Sequence, residues 1–585
     1  MVQLRRLLPY ARPYWPVFAV GMGCVVVSNY FRAVGPVYLQ RGIDALSASR
    51  IPEVHRAILM LLLVALASGI ARYVMRETLN GVSRRIETDL RDRLFVHLER
   101  LSPEFYDRYA TGDIMARATN DLLAVRMVAG PALMYLSDTL VGAALMLPYM
   151  LRISPELTGL ALLPLVALPF GMAAFGQAIH RRTLHVQAAY ATLTSAVHEN
   201  LSGARIVRAY RQEAAETGRF TTINADYAAR NLSLARVAGA FHPLLTLLGG
   251  LGAVVVIWVG GALVIQGTIS TGKFISFGVY LVMLVWPMIA LGWVVNLVQR
   301  GEASMGRMNE LFQARPAIVS PPAPRSLPPA GGARSLAFQD VWFRYPNAPG
   351  RGWGLQQISF TVPAGGSLGI VGATGAGKSS LAELIVRAYD PDRGRILLDG
   401  IDLRDLSLAE LRHAVGYVPQ ETFLFSDTLE ANVLLGAPND GRLERVARVS
   451  QLSSALGDLP DGFKTMLGER GVNLSGGQRQ RTAIARALAQ DPPVFVLDDA
   501  LSAVDAQTEM RILNGLRDVL AAKTRLIVSH RLSAVRDADW IIVLEDGLIV
   551  EQGTHPTLMA CQGRYWELLR RQEMEEELEE AVEER

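Results

Sequence analysis

Three stretches of the chain carry residue types that do chemistry on phosphates. The first reads "SLGIVGATGAGKSSLAELIV", an apolar strand, a glycine-rich loop and a helix start. Gly372, Gly375 and Gly377 let backbone N–H groups turn toward an anion, and Thr374 and Ala376 complete the loop. Lys378 reaches the outer phosphates of a nucleotide, Ser379 offers a hydroxyl to magnesium, and Ser380 follows it into the helix. The second stretch, "VFVLDDALSAVD" at 494–505, runs from a buried strand into a loop and sets Asp498 and Asp499 side by side. The third, "FRYP", places Tyr345 27 residues ahead of Gly372, where an aromatic ring can stack on adenine. ATP and Mg2+ are the ligands this chemistry implies.

A fourth stretch, "NLSGGQRQRTAIARAL", puts Ser475, Gly477 and Gln478 at a helix start. Small residues there let a phosphate come close, and the helix dipole assists. Leu474 to Gln478 spell the signature of ATP-binding-cassette proteins. The whole chain resembles a half-size ABC exporter of the multidrug-resistance type, and in particular the degenerate-site subunit of bacterial heterodimeric multidrug exporters. The resemblance implies roles at matching positions. Asp498 holds magnesium through water. Gln420 in "YVPQETFLFSDT" links magnesium and the attacking water to the membrane domain. His530 in "LIVSHRLSAV" contacts the γ-phosphate, and Asp505 communicates between two sites. "GERG" at 468–471 meets intracellular helices, and segments 104–121 and 206–216 are coupling segments that transmit hydrolysis to the membrane helices.

Asp499 stands where the resemblance leads one to expect Glu, the residue that positions or deprotonates the attacking water. Its carboxylate is withdrawn by about 1.5 Å, one carbon–carbon bond. Sites of this family form between two chains, so the expectation is a heterodimer. One site, built on Tyr345, Lys378, Asp498, Asp499 and His530, would hydrolyse ATP slowly. The other would combine Ser475, Gly477 and Gln478 of this chain with a catalytic Glu of the partner. The alternatives are a homodimeric lipid flippase and an ATP-gated channel or sensor.

The elements that position these residues fall into two regions. Six stretches are long and apolar enough to cross a bilayer: 15–36, 57–75, 127–150, 157–176, 241–265 and 274–298. Polar segments with helical patterning separate the second span from the third and the fourth from the fifth. They imply helices that run well past the membrane. Arg84, Arg85, Arg91, Arg93, Arg181, Arg182, Arg205 and Arg208 lie in these segments and favour a cytoplasmic side, although Arg41, Arg50 and Arg56 sit in the first short loop. The N-terminal lead-in reads as retained rather than as a signal peptide. Both termini and the nucleotide domain are expected on the cytoplasmic side of the inner or plasma membrane. With no peptidase domain ahead of the spans, a peptide-processing exporter is not expected.

Residues 314–334, rich in Pro and Gly, read as a semi-rigid linker. Beyond them short apolar strands alternate with helices in an α/β pattern. The predicted architecture is a membrane α-helical bundle of six transmembrane helices over 1–313, then a P-loop ABC ATPase domain over 335–572. An acidic helical tail, 573–585, would be solvated, or would pack on a partner through Met574, Leu578 and Val582.

Composition agrees with this division. Half of the 585 residues are hydrophobic and only 19% are charged, which points to a membrane protein. A net charge of +3, dispersed along the chain, does not suggest nucleic-acid binding. The two cysteines, Cys24 and Cys561, support neither a disulfide framework nor a cysteine metal site. The expected partners are a second half-transporter, the lipid bilayer, and an amphipathic small molecule or lipid as cargo.

Cargo contacts are less legible. Trp286, Trp293 and Arg300 recur every seven residues on the sixth span, with Asn296 nearby. They line a cavity for amphipathic cations or lipids, or simply pack against helices. Asp138, in the middle of the third span, must face the bundle or water, as part of a substrate path or as a structural hydrogen-bonding group. Arg32 lies near the end of the first predicted span and is expected to snorkel.

Overall fold

The computed structural model describes residues 3–329, 332–347, 350 and 352–583. Side chains at 165, 167–170, 172–173, 241–242, 245, 248–249, 458, 506 and 575–583 lie outside that description. The chain divides into two compact units. One comprises Met1–Glu99 and Gly112–Gln313, the other Arg100–Thr111 and Ala314–Arg585.

The first unit is built from long helices: α1 (Trp15–Ser47), α2 (Ile51–Leu98), α3 (Thr111–Ile153), α4 (Pro155–Ser202), α5 (Glu213–Val255) and α6 (Thr271–Gln313). At 1.5 Å per residue, the 48 residues of α2 or α4 reach about 72 Å, more than twice a hydrocarbon core. The polar segments are thus continuations of the apolar ones. Among the described residues four helices are long and apolar enough to cross a membrane, those containing α1, α2, α3 and α6. The predicted fourth and fifth spans fall on α4 and α5, where side chains at 165–173 and 241–249 are partly outside the description. Helix α3 carries two π-turns, at Arg117–Asp121 and Val128–Ala132; the second contains Pro131, which has no N–H to give the regular ladder.

Two expectations for this unit change. Arg32 is not at a helix end, because α1 continues another fifteen residues, about 22 Å, to Ser47. Trp286, Trp293, Asn296 and Arg300 are exposed, whereas Leu284, Pro287, Ala290, Val294, Leu297 and Gly301 form the buried stripe of α6. The heptad face is therefore not a packing face within this chain, although Trp293 meets Tyr135 edge-on at 5.1 Å.

The second unit holds two sheets. One has the antiparallel order β2-β1-β4-β5, from β1 (Leu336–Phe343), β2 (Leu355–Val362), β4 (Arg393–Leu398) and β5 (Ile401–Asp402). The other has the order β10-β9-β3-β8-β7-β6, from β3 (Ser367–Gly372), β6 (Val415–Val418), β7 (Val494–Asp498), β8 (Thr524–Val528), β9 (Trp540–Glu545) and β10 (Leu548–Gly553). It is parallel except for the β9/β10 pair. Strands β3 and β7 are buried along their whole length, as a parallel sheet covered on both faces requires.

The 314–334 stretch is not a free spacer. Arg325 N–H donates to Asp405 O at 2.8 Å, Leu327 N–H donates to Glu410 Oε1 at 2.8 Å, and the Ile318 and Leu327 side chains are buried. Residues 330–331 lie outside the described residues. The acidic tail continues a helix over Arg564–Glu583 in which Met574 is exposed; the side chains of Leu578 and Val582 lie outside the description. Cys24 and Cys561 are free thiols.

Candidate functional site

Strand order builds the site. In a parallel sheet the loops leaving neighbouring strands emerge at the same edge, and that edge is where ligands bind. Ile370, Val528 and Asp498 lie level across β3, β8 and β7, and Val418 pairs with Leu497 across β6 and β7. Hence the glycine loop after β3, His530 after β8, Asp499 after β7 and Gln420 after β6 converge, although 158 residues separate Gly372 from His530.

These loops surround a cavity of about 720 Å3. Its lining includes Tyr345, Thr374, Gly375, Gly377, Lys378, Ser379, Ser380, Gln420, Asp498, Asp499 and His530. Gly375 (φ 86°) and Gly377 (φ 99°) are left-handed, and a Cβ on Gly377 would stand 2.6 Å from Gly354 O. Only glycine supplies this path without strain. Helix α7 (Lys378–Ile385) starts directly after it, so its first N–H groups and its dipole face the cavity. Lys378 Nζ donates to Gly372 O at 2.8 Å and Ala373 O at 2.9 Å, which holds the ammonium over the loop. Gly372 and Ala376 serve from behind: both are buried, one ending β3 and the other accepting from Gly547 N–H.

Ser379 Oγ donates to Asp498 Oδ1 at 3.1 Å, and Tyr417 OH donates to Oδ2 at 3.3 Å. Burial pushes the Asp498 carboxyl up; the Asp499 charge adds to this, while Ser379, Tyr417 and Lys378 oppose it. Burial lowers the Lys378 ammonium against the pull of Asp499 and Asp498. A hydroxyl and a carboxylate oxygen this close are hard donors of the kind magnesium takes when phosphates and water complete its shell. The residues fit that ion.

Asp499 is clamped. His530 Nδ1 lies 2.7 Å from Oδ1 and 2.9 Å from Oδ2, and Gln420 Nε2 donates to Oδ2 at 3.4 Å. Its backbone is left-handed (φ 49°), and its N–H donates to Val528 O at 2.8 Å. Asp tolerates that conformation better than longer side chains do.

The Tyr345 ring lies edge-on to Phe343 and Tyr389, and its hydroxyl bonds Ser380 Oγ at 3.0 Å and Glu383 Oε2 at 2.9 Å. Burial pushes its phenol up to about 12. Sequence reasoning missed Trp353, Gln356, Asp546 and Gly547, which line the same cavity, and Tyr417, which holds Asp498. For Trp353 a signal existed: an indole within the glycine-rich "GRGWG", eight residues after Tyr345.

Ser475, Gly477 and Gln478 do not line this cavity. They start α8 (Gly476–Ala489) with a capping box, Ser475 Oγ accepting from Gln478 N–H at 3.2 Å and Gln478 Oε1 from Ser475 N–H at 2.9 Å. Asp505 caps the following helix, α9 (Ala506–Val519), accepting from Thr508 N–H at 2.9 Å. Residues 468–471 form a turn in which Glu469 and Arg470 are exposed, Gly468 is half-buried and Gly471 is buried.

The first expected coupling segment, 104–121, divides between the units: the residues from 112 onward belong to the unit of long helices, and 100–111 belongs to the same compact unit as the two sheets. Its short helix Pro103–Arg108 is tied there: Tyr389 OH donates to Asp107 Oδ2 at 2.6 Å, and Asn347 Nδ2 to Glu104 O at 3.0 Å. Residues 206–216 form an exposed helical turn and the start of α5 in the other unit.

Comparison with known proteins agrees across the chain. The family profile described as ABC transporter transmembrane region matches residues 18–288, and the profile described as ABC transporter matches 355–502. The chain is 36% identical over 576 residues to the probable multidrug resistance ABC transporter ATP-binding/permease protein YheI of Bacillus subtilis, covering 98% of each. It is 35% identical to the multidrug resistance-like ATP-binding protein MdlA of Escherichia coli, again covering 98% of each. It is 34% identical to the ATP-dependent lipid A-core flippase of Syntrophus aciditrophicus, covering 99% of this chain and 96% of that protein. A solved bacterial Atm1-family ABC exporter with ATP bound superposes with a TM-score of 0.78 at 27% identity, over 95% of this chain and 99% of that one.

Proposed function

We propose that this chain, which belongs to the ABC transporter family in its half-size exporter form, works as one half of a two-chain pump with one slow ATP site. It joins a membrane helical domain to an ABC ATPase domain and couples ATP hydrolysis to transport. The observation that carries the proposal is Asp499, short by one methylene and held by His530 and Gln420.

In this reading the backbone of 373–379 and Lys378 hold the triphosphate, and Tyr345 takes the base. Ser379 and Asp498 hold magnesium, which when bound offsets the phosphate charge. His530 and Gln420 orient the outer phosphate and water. Asp499 does not reach far enough to position that water well. Misplacement by about 1 Å costs on the order of 100-fold, and loss of base assistance about 100- to 10,000-fold. The exposed Ser475, with Gly477 and Gln478, completes the partner's site, where a Glu performs the faster hydrolysis. ATP closes the paired nucleotide domains and opens the membrane cavity away from them; hydrolysis resets it. The ATPase domain and both termini are placed in the cytoplasm, where ATP is.

The cargo is an amphipathic small molecule or lipid. Similarity to a lipid A-core flippase at nearly the same level as to multidrug proteins favours lipid as the cargo of a second reading, in which the chain pairs with its own copy. The deciding experiment purifies the full-length chain alone and with candidate half-transporters, and measures ATPase activity and vesicle transport. A partner whose catalytic Glu→Gln change abolishes turnover supports the proposal. Full transport by the chain alone, or equal loss from altering either chain's Walker residues, refutes it.

A further inference from the structure

The first unit places three ionisable side chains together at membrane depth, and they do not balance. Asp138 on α3 is buried, accepts from Asn29 Nδ2 of α1 at 2.7 Å, and pairs with Arg72 Nη2 of α2 at 3.7 Å. Arg32 lies one turn beyond Asn29 on the same face of α1, within electrostatic reach of both Arg72 and Asp138. The two helices are in register at Ser28 and Ser68, whose hydroxyls each meet the other's carbonyl. This places Arg32 on one side of that level and Arg72 on the other. Asp138 lies about eleven residues, or roughly 16 Å, from either end of its apolar stretch, close to mid-membrane.

The sum is two guanidiniums and one carboxylate. Each guanidinium has five N–H donors, and among the described residues none of the ten makes a hydrogen bond to the protein. The Arg72 contact to Asp138 is an ion pair too long to be a hydrogen bond. On the same helices Val25, Met75 and Met134, one turn away, and Leu79, two turns away, form an apolar cluster whose side chains supply no carboxylate. An ionisable group within a membrane span is costly and is retained where it meets a partner. Here the partner that would complete the cluster is negative, with several acceptor oxygens to match the planar forks of Arg.

We propose that Arg32 and Arg72, braced by Asp138 and Asn29, form a binding site for the oxyanion headgroup of an amphipathic molecule, a carboxylate or phosphate carried on an apolar body. The site deepens the exporter reading, on which it rests, by assigning the cargo an anionic headgroup. Asp138 offsets only part of the repulsion between the two guanidiniums in the unliganded chain and leaves one positive charge uncompensated for the ligand.

The test uses the full-length chain in phosphatidylcholine nanodiscs, without ATP or partner, so it is independent of any outcome for the Asp499 site. Binding is titrated with three probes that share a twelve-carbon tail: dodecyl phosphate, dodecyl maltoside and dodecyltrimethylammonium. The wild-type chain should bind the phosphate probe about tenfold or more tightly than the other two, the size expected for charge-assisted hydrogen bonds. The double variant Arg32→Gln/Arg72→Gln should lose that preference, while Arg32→Lys/Arg72→Lys should keep most of it. Each variant is accepted on a cooperative thermal melt. Equal binding of all three probes by the wild type, a preference for the cationic probe, or a phosphate preference unchanged in the Gln double variant overturns the proposal. Repeating the titration in nanodiscs containing phosphatidylglycerol separates the sources. Competition assigns the site to a lipid headgroup, and undiminished probe binding assigns it to an amphiphilic solute.

Discussion

The substitution Asp499→Glu tests the proposed slow site most directly. The Cα of residue 499 is fixed by the Asp499 N–H bond to Val528 O at 2.8 Å and by the end of β7, so side-chain length alone sets how far the carboxylate reaches. Glu adds about 1.5 Å. If 1 Å of misplacement costs on the order of 100-fold, restoring the reach should raise hydrolysis at this site by about that factor, close to 3 kcal/mol of barrier. The left-handed backbone at 499 opposes the change, because Glu tolerates φ 49° less well than Asp, at a cost of about 1 kcal/mol in folding stability. The two effects are separable. The assay is steady-state phosphate release by the assembled two-chain complex, in a background where the partner's catalytic Glu is replaced by Gln. There the native chain should turn over barely above a Lys378→Ala control, and Asp499→Glu should restore turnover about 100-fold with a slightly lower Tm. Asp499→Asn in the otherwise native complex should change turnover little. An inactive Asp499→Glu with intact nucleotide binding, or a halved rate in Asp499→Asn, would refute the reasoning.

Three other outcomes are expected. The raised Asp498 carboxyl takes up a proton at a higher pH than an ordinary Asp, whose value is about 3.9. Because the ion needs the charged form, the Mg2+-dependent part of nucleotide affinity should fall early as pH drops. Tyr417→Phe, which removes a bond that favours the charged form, should move the fall to still higher pH; affinity titrations that stay flat into the ordinary Asp range would contradict this. Ser475→Ala should cost about 1 kcal/mol of stability through the lost cap, whereas Ser475→Asp should keep the cap and the melt but suppress ATPase activity by placing a negative charge where the proposed function seats the partner's nucleotide. Tyr389→Phe should leave basal ATPase near normal and weaken its stimulation by transported substrate, since it cuts the 2.6 Å bond that ties Asp107 to the ATPase unit. Stimulation equal to wild type would show that this bond carries no coupling.

Much of the ATP site was legible because its parts are local. A strand, a glycine loop and a helix start are contiguous at 367–385, and the capping box is contained in four residues. The apolar length of the first, second, third and sixth expected spans was legible for the same reason, since a bilayer is read residue by residue along one helix. Other features were not. "GRGWG" does not show that Trp353 returns to the cavity wall, and the Pro-rich composition of 314–334 does not show that Arg325 and Leu327 dock against 405 and 410.

The sequence by itself determined that this chain binds a nucleotide beside a membrane domain, and that residue 499 is an Asp where a Glu was expected. These are matters of residue type and short-range spacing. Only the tertiary structure decided that His530 and Gln420 clamp that Asp, because the order β3-β8-β7-β6 brings distant loops to one edge. It also decided that Arg32, deep in α1 rather than at a helix end, comes within electrostatic reach of the carboxylate that pairs with Arg72, because three helices meet there at a level that no span reveals alone.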